Sequence, residues 1–222
     1  MKYSAIILLG GKSTRFGGDL NKVYYLINNK PIFCYSLELF LNDKDCNEVI
    51  IVYNQEDSEI LTQILSKYPQ VLKTIGGSMR YLSVAAGLKL ATSEYVLVHD
   101  GARPNINKQM IDDLKQGLLE CPSVSLGVPV TDTIKKVSGN SFETIDRSNL
   151  YAVQTPQGSK KELLEKALNL VSDKDNITDD LMAIEKYSNV VPKIILGSKT
   201  NIKVTTFEDY QYVKILMGDK NV

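Results

Sequence analysis

The chain repeatedly sets a short, almost uniformly apolar run beside a stretch with helical spacing, and that alternation confines it to few folds. Residues 3–9 and 49–53 read as buried strands and 95–98 as a central one, being too short and too uniformly apolar for amphipathic helices, and 71–75 reads as another short strand. Between them a helix opens at Lys30-Pro31 and runs through Phe40. Residues 59–68 are amphipathic, and residues 78–90 carry Met79, Leu82, Val84, Ala85 and Leu88 as apolar content. Strands alternating with helices predict an α/β fold with a doubly wound, mostly parallel, Rossmann-like sheet. Its sites should gather at the carboxyl ends of the strands.

The first of those ends is chemically loaded. Leu8-Leu9-Gly10-Gly11-Lys12-Ser13-Thr14-Arg15-Phe16-Gly17 follows the opening strand. Lys12, Ser13, Thr14, Arg15 and, beyond Gly17-Gly18, Lys22 are side chains a core cannot use. Paired glycines let the backbone approach a ligand and offer it N–H groups, while Arg15 and Lys22 add mobile positive charge. Such a loop suits a polyphosphate. It is not a P-loop, since Ile6 stands where that motif needs its first glycine, and it lacks the G-x-G-x-x-G spacing of a dinucleotide fold. Standing alone, it would also serve as an ordinary strand-to-helix turn with solvated charges.

Composition narrows the partners. With 26 basic and 26 acidic side chains the net charge is +0, so no global field favours nucleic acid or an anionic membrane. An anion site must be local. At 222 residues the chain is expected to form one domain, residues 1–222, long enough to bury a real core. No apolar run approaches a membrane span, and the start enters a strand without the apolar region of a signal peptide. Cys34, Cys46 and Cys121 are odd in number and lack metal spacing, which predicts reduced thiols and a cytoplasmic protein.

The middle third changes character. After a strand over residues 123–130, residues 131–154 have no helical period. Residues 133–137 and 142–145 alternate around Ser138-Gly139-Asn140-Ser141, the signature of a hairpin. An isolated hairpin is marginal in water. Nothing else in the chain needs to cover it, so residues 131–152 are expected to protrude as a β-arm used in dimerisation, exchanged between the subunits of a homodimer. Beyond it Thr155-Pro156-Gln157 reads as a turn. Residues 160–171 and 177–187 read as helices, the second capped near Thr178-Asp179-Asp180. Residues 190–196 read as a strand, and Thr205-Thr206-Phe207-Glu208 as the capping box of a final helix.

Several single residues stand out. Asp100 ends the 95–98 run with Gly101 behind it, placed to hold Mg²⁺ or another divalent cation beside phosphates, though a lone aspartate there also serves as a cap. Arg103 brings a guanidinium near that carboxylate. His99, the sole histidine, lacks the serine or cysteine setting of a triad and reads as structural, hydrogen-bonding neighbouring loops. Lys203, flanked by Ile202 and Val204, should be partly shielded and meet an anion.

Read together, these stretches form a pattern. It comprises Gly10-Gly11-x-x-x-Arg15 with Lys22, Gly76-Gly77-x-x-Arg80-x-x-Ser83-Val84-x-x-Gly87-Leu88, and His99-Asp100-Gly101-Ala102-Arg103-Pro104. Further on come Pro129-Val130-Thr131-Asp132-Thr133-Ile134-Lys135, Asp146-Arg147, Gln154-Thr155-Pro156-Gln157, Thr178-Asp179-Asp180 and Asn201-Ile202-Lys203-Val204-Thr205. In this order, from about residue 3 to residue 215, they resemble the cytidylyltransferases of the sugar-nucleotidyltransferase type. They are most similar to the branch acting on methylerythritol phosphate in non-mevalonate isoprenoid synthesis.

The resemblance implies transfer of a cytidylyl group from CTP to a polyol phosphate. It implies Leu9, Gly10 and Gly11 against base and phosphates, with Arg15 and Lys22 on the triphosphate. Gly77, Ser78 and Ser83 would surround cytosine, and Asp100 would hold Mg²⁺. Lys203 would neutralise the α-phosphate, while Arg103, Thr133, Arg147 and Thr178 would recognise the sugar phosphate, Arg147 coming from the partner's arm. Leu9, Val23, Gly158-Ser159 and Thr200 depart from the family's usual alanine, glutamine, aromatic and aspartate. A phosphate monoester is already anionic, so the implied chemistry needs no covalent intermediate and no strong base. It needs positioning and positive charge from Arg15, Lys22, Lys203 and Mg²⁺. Two alternatives stand at this point. One is the ribitol 5-phosphate branch, which shares the fold and the CTP half. The other is an inactive nucleotide-binding regulatory protein, against which the intact Arg15, Lys22, Asp100 and Lys203 argue.

Overall fold

The computed structural model describes residues 1–11, 15–17 and 20–219; Lys12, Ser13, Thr14 and Gly18 of the first loop lie outside the described residues. β1 (Tyr3–Leu8) leads through a small hairpin, β2 (Leu26–Ile27) and β3 (Lys30–Pro31), into α1 (Ile32–Leu41). Then come β4 (Cys46–Tyr53), α2 (Ser58–Leu65), β5 (Leu72–Ile75), α3 (Arg80–Leu88), β6 (Tyr95–Asp100), α4 (Lys108–Glu120) and β7 (Ser123–Pro129). β8 (Ile134–Ser138) and β9 (Ser141–Ile145) precede β10 (Tyr151–Lys160), α5 (Lys161–Leu168), α6 (Asp180–Tyr187), β11 (Lys193–Leu196) and α7 (Phe207–Leu216).

The main sheet runs β11-β7-β10-β6-β1-β4-β5. β10 is antiparallel to both β6 and β7, and the other pairings are parallel, so the expected mostly parallel sheet is present. The two-residue side-chain period sorts each strand onto two faces. Ala5, Ile7, Val49, Ile51 and Leu97 pack with Phe33, Leu37, Leu61, Leu114 and Leu118 from α1, α2 and α4. Ile6, Leu8, Ile50, Val52, Val96 and Val98 face Val84, Leu88, Leu164, Ala183 and Ile184 from α3, α5 and α6. Each fully buried isoleucine in these strands contributes about 1.5–3 kcal/mol. That double cover makes β1 and β6 rigid mounts for whatever stands at their carboxyl ends.

Some local expectations are corrected. Thr155-Pro156-Gln157 is not a turn but lies inside β10, where the pairing register shifts between Val153 and Gln157. Proline has no N–H for the ladder, and the strand continues past it because its neighbours on both sides remain paired. α4 is additional to the expected elements. Asn107 caps it by accepting from the Met110 N–H, and Met110, Ile111, Leu114 and Leu118 form its buried stripe. α3 starts at Arg80 rather than residue 78, because Met79 is still extended. The final capping box is Thr206 with Asp209, one residue later than expected.

β8 and β9 form a two-stranded sheet of their own, closed at its base by the Val130 N–H donating to the Leu150 carbonyl at 3.0 Å. Val137 and Phe142 near its tip are 68% and 69% exposed, the reverse of what an apolar pair at the end of a hairpin should be in a lone subunit. Among the described residues no helix is long and apolar enough to cross a membrane.

Candidate active site

The carboxyl ends of β1, β4, β5 and β6 open onto a cavity of about 600 Å³, bordered by Gly10, Gly11, Lys22, Gly77, Ser78 and Ser83. A second cavity of about 290 Å³ adjoins it, lined by Arg103, Gln154, Gln157, Thr178 and Asp179. Arg80, Asp100 and Lys203 line both. These three side chains are the wall between the cavities, and its chemistry is ionic.

Lys203 Nζ lies 2.7 Å from Asp100 Oδ2, and Arg80 Nε lies 3.7 Å from Asp100 Oδ1. The same guanidinium forks onto Asp180 at 2.8 and 3.1 Å, and among the described residues Asp180 pairs with no other cation. The Asp180 N–H donates to Gln157, whose amide donates to Asp179. A continuous line of charge and hydrogen bonds thus runs from Lys203 through Asp100 and Arg80 into the first turn of α6. Burial pushes the Asp100 carboxyl up, but the charges of Arg80 and Lys203 outweigh it and hold the group well below the usual carboxylate range. Asp100 is ionised at any working pH.

Lys22 occupies a short turn, Lys22–Tyr24, pinned by Asn21. The Asn21 amide donates to the Leu9 carbonyl at 2.8 Å and to Asp57 at 3.2 Å, and its oxygen accepts from Val23. Burial, then the nearby charge of Lys203, lowers the Lys22 pKa. Two cations pressed toward one another in a half-buried cavity are relieved by an arriving polyanion. Across the cavity, the Gly77 N–H donates to Ser83 Oγ at 3.2 Å. A Cβ on Gly77 would come within 2.4 Å of Leu82 Cβ, so only glycine lets this loop fold tightly over α3.

Lys203 itself projects from irregular backbone, its side chain 44% exposed, and its neighbours hold it in place. The Val204 N–H donates to the Ala102 carbonyl, Arg103 Nη1 donates to the Asn201 carbonyl at 2.7 Å, and Asn201 donates to Thr155. His99 is the structural residue expected. Its Nε2 meets the Arg103 carbonyl at 3.1 Å and its Nδ1 meets Thr155 Oγ1 at 3.2 Å, joining the two loops that frame Asp100. Burial lowers its pKa from 6.5 to about 4. Between those values the unfolded chain binds the proton and the folded chain does not, so stability falls as pH drops through that window. The loss from this group reaches about 3 kcal/mol near pH 4. Urea unfolding from pH 7 to 4.5 is expected to show a steeper fall for the wild type than for His99→Gln, and equal slopes would contradict the assignment.

The structure brings together most of the expected site residues. Gly10, Gly11, Lys22, Gly77, Ser78, Ser83, Asp100 and Lys203 border the larger cavity, and Arg103 and Thr178 border the smaller. Leu9 is fully buried, its side chain packed under Gly101, and Leu8 borders the cavity instead. Arg15 is exposed and lines neither cavity. Thr133 and Arg147 stand on the arm, outside both cavities of their own chain, with the Arg147 guanidinium on the Thr131 carbonyl. The residues not anticipated as site groups are Arg80, Asp180, Gln154, Gln157 and Asn201. Each stood in the sequence only as a motif position: Arg80 after Gly76-Gly77, and the others within Gln154-Thr155-Pro156-Gln157, Thr178-Asp179-Asp180 and Asn201-Ile202-Lys203-Val204-Thr205.

A cavity fit for a nucleotide at the strand ends, walled by cations and an ionised aspartate, defines a nucleotidyltransferase-type α/β enzyme. The chain belongs to the 2-C-methyl-D-erythritol 4-phosphate cytidylyltransferase (IspD) family, whose model matches residues 3–219. It is 36% identical over 232 residues to the enzyme of that name from Bacillus velezensis, covering 100% of both chains. To the one from Bacillus mycoides it is 40% identical over 213 residues, covering 93% of this chain and 94% of that one. The structure of 4-diphosphocytidyl-2C-methyl-D-erythritol synthase from Anaerococcus prevotii matches with a TM-score of 0.84 at 28% identity, covering 97% of this chain and 98% of that one.

Proposed function

We propose that this protein transfers the cytidylyl group of CTP to 2-C-methyl-D-erythritol 4-phosphate, giving 4-diphosphocytidyl-2-C-methyl-D-erythritol and pyrophosphate, within non-mevalonate isoprenoid precursor synthesis in the cytoplasm. The observation that carries this reading is the wall shared by two adjoining cavities, one of a size for a nucleoside triphosphate and one for a small polyol phosphate. A phosphate oxygen of the acceptor attacks the α-phosphorus of CTP across that wall as the bond to pyrophosphate breaks. Lys203 meets the charge gathering at the α-phosphate, and Lys22 and Arg15 bind the triphosphate as it separates. Arg103 and Thr178 hold the acceptor, and Ser83, Ser78 and Gly77 lie around the base.

Asp100 suits a hard divalent cation, being an ionised oxygen donor at the cavity edge. Among the described residues no three His, Cys, Asp or Glu side chains cluster, so Asp100 would share Mg²⁺ with phosphate oxygens and water. The ion supplies charge neutralisation on the phosphates. The arm, too exposed for a lone subunit, crosses to a second copy in a homodimer and delivers Thr133 and Arg147 to the partner's acceptor pocket.

Phosphorus NMR of the protein mixed with CTP and methylerythritol phosphate tests the reading. It should show equal growth of pyrophosphate and a diphosphodiester, stopped by excess chelator and weakened in its Mg²⁺ response by Asp100→Asn. Undiminished turnover in chelator would remove the metal from this account, and absence of both products with Mg²⁺ present would remove the reaction.

A further inference from the structure

Arg15 is assigned by its charge, yet it is exposed, and among the described residues no contact of its own fixes where it points. Its neighbour does. Phe16 is 6% exposed, with its ring 4.8 Å from Tyr25 at 70°, 6.0 Å from Phe207 at 68° and 6.0 Å from Tyr210 at 70°. Tyr210 also meets Tyr25 at 5.7 Å and Phe207 at 5.7 Å. The Phe16 pairs and Tyr25–Tyr210 are edge-to-face, an arrangement that aromatic quadrupoles prefer, while Phe207–Tyr210 is tilted at 45°. The box is itself held. The Tyr210 hydroxyl donates to the Leu26 carbonyl at 2.6 Å, and Thr206 and Asp209 cap the start of α7 reciprocally. Gly17 then leaves the anchor at φ +79 with nothing within 4 Å of its would-be Cβ, so glycine is needed there for backbone reach and not for packing. α7 contributes no residue to either cavity.

We propose that Phe16 is a positioning residue: seated in the box of Tyr25, Phe207 and Tyr210, it fixes the backbone from which Arg15 reaches the triphosphate. The proposal rests on the reading of Arg15 given above. Backbone anchored at Phe16, next to the working arginine, has already lost conformational freedom that CTP binding would otherwise have to remove there. The C-terminal helix thereby takes part in nucleotide binding without touching the nucleotide.

A double-mutant cycle on the full-length protein tests this, with KM for CTP and for the polyol phosphate read separately and thermal unfolding followed in parallel. Phe16→Ala is expected to raise KM for CTP on the order of tenfold, as misplacement of a binding group does, while KM for the polyol phosphate stays within about twofold. Phe207→Ala, on a different element, should give the same signature. Phe16→Leu keeps the apolar volume but loses the edge-to-face contacts, and should fall between Phe16→Ala and wild type. In an Arg15→Ala background, Phe16→Ala should have no further effect on CTP. If Phe16→Ala costs as much without Arg15 as with it, or leaves KM for CTP unchanged, the proposal is overturned. If Arg15→Ala alone leaves CTP kinetics untouched, it is the assignment of Arg15 that fails. Should Phe16→Ala not fold, Phe16→Leu and Phe207→Ala complete the same cycle.

Discussion

Replacing Lys203 or Lys22 with alanine is expected to lower kcat by two to three decades while leaving the fold intact. The reaction brings two anions together and gathers charge at phosphorus, so a cation aimed at that centre contributes more in the transition state than in the ground state. Losing one such group costs about 3–4 kcal/mol of barrier. Lys203 should show the larger kcat effect. Its Nζ stands on the wall common to both cavities, 2.7 Å from Asp100, the position proposed above for the α-phosphate. Its removal also leaves Asp100 with Arg80 as its main counter-charge, and Arg80 is already committed to Asp180 through two hydrogen bonds. Lys22 borders only the larger cavity, so Lys22→Ala should raise KM for CTP as well as lowering kcat. Near-normal turnover of both variants at saturating CTP would mean the triphosphate lies elsewhere.

The second large effect concerns the arm. Arg147→Ala should raise KM for the polyol phosphate strongly and change KM for CTP little, because a charge-assisted phosphate contact is lost from the acceptor side alone. Arg147 lines neither cavity of its own chain, so the test that matters is mixing. Subunits carrying Arg147→Ala are combined with subunits carrying Lys22→Ala, after dissociating and re-forming the dimers. In a mixed dimer one site collects both lesions and the other none. Random pairing of equal pools then restores about one quarter of the sites. No recovery, with mixed dimers demonstrated, would place Arg147 in its own subunit's site.

Which parts of this molecule were legible in its sequence follows from how far apart the cooperating residues lie. β1, β4 and β6 were readable because uninterrupted apolar runs that short have few other uses, and Lys22, Asp100 and Lys203 stood at ends or flanks that a core could not absorb. His99 was read as structural and proves to be a buried brace between loops. Arg80 was legible only as a motif position. Its two carboxylates come from β6 and from α6, one hundred residues along the chain, and only the sheet topology brings them together. Gln154 and Asn201 were likewise legible only as motif positions, for the same reason. The Thr155-Pro156 step looked like a turn because proline usually breaks a strand, and β10 survives it through pairing on both edges. α4 was obscured by its polar majority, although its four buried apolar residues keep helical spacing.

The central claim, cytidylyl transfer to a methylerythritol phosphate acceptor, is tested most directly by comparing two acceptors at one fixed, saturating CTP concentration with Mg²⁺ present. Pyrophosphate release is followed with 2-C-methyl-D-erythritol 4-phosphate and with ribitol 5-phosphate, and kcat/KM is taken for each. The account predicts at least about a hundredfold preference for methylerythritol phosphate, the scale set by a few differential contacts in a small polar pocket. Equal use of the two, or a preference for ribitol 5-phosphate, would contradict it.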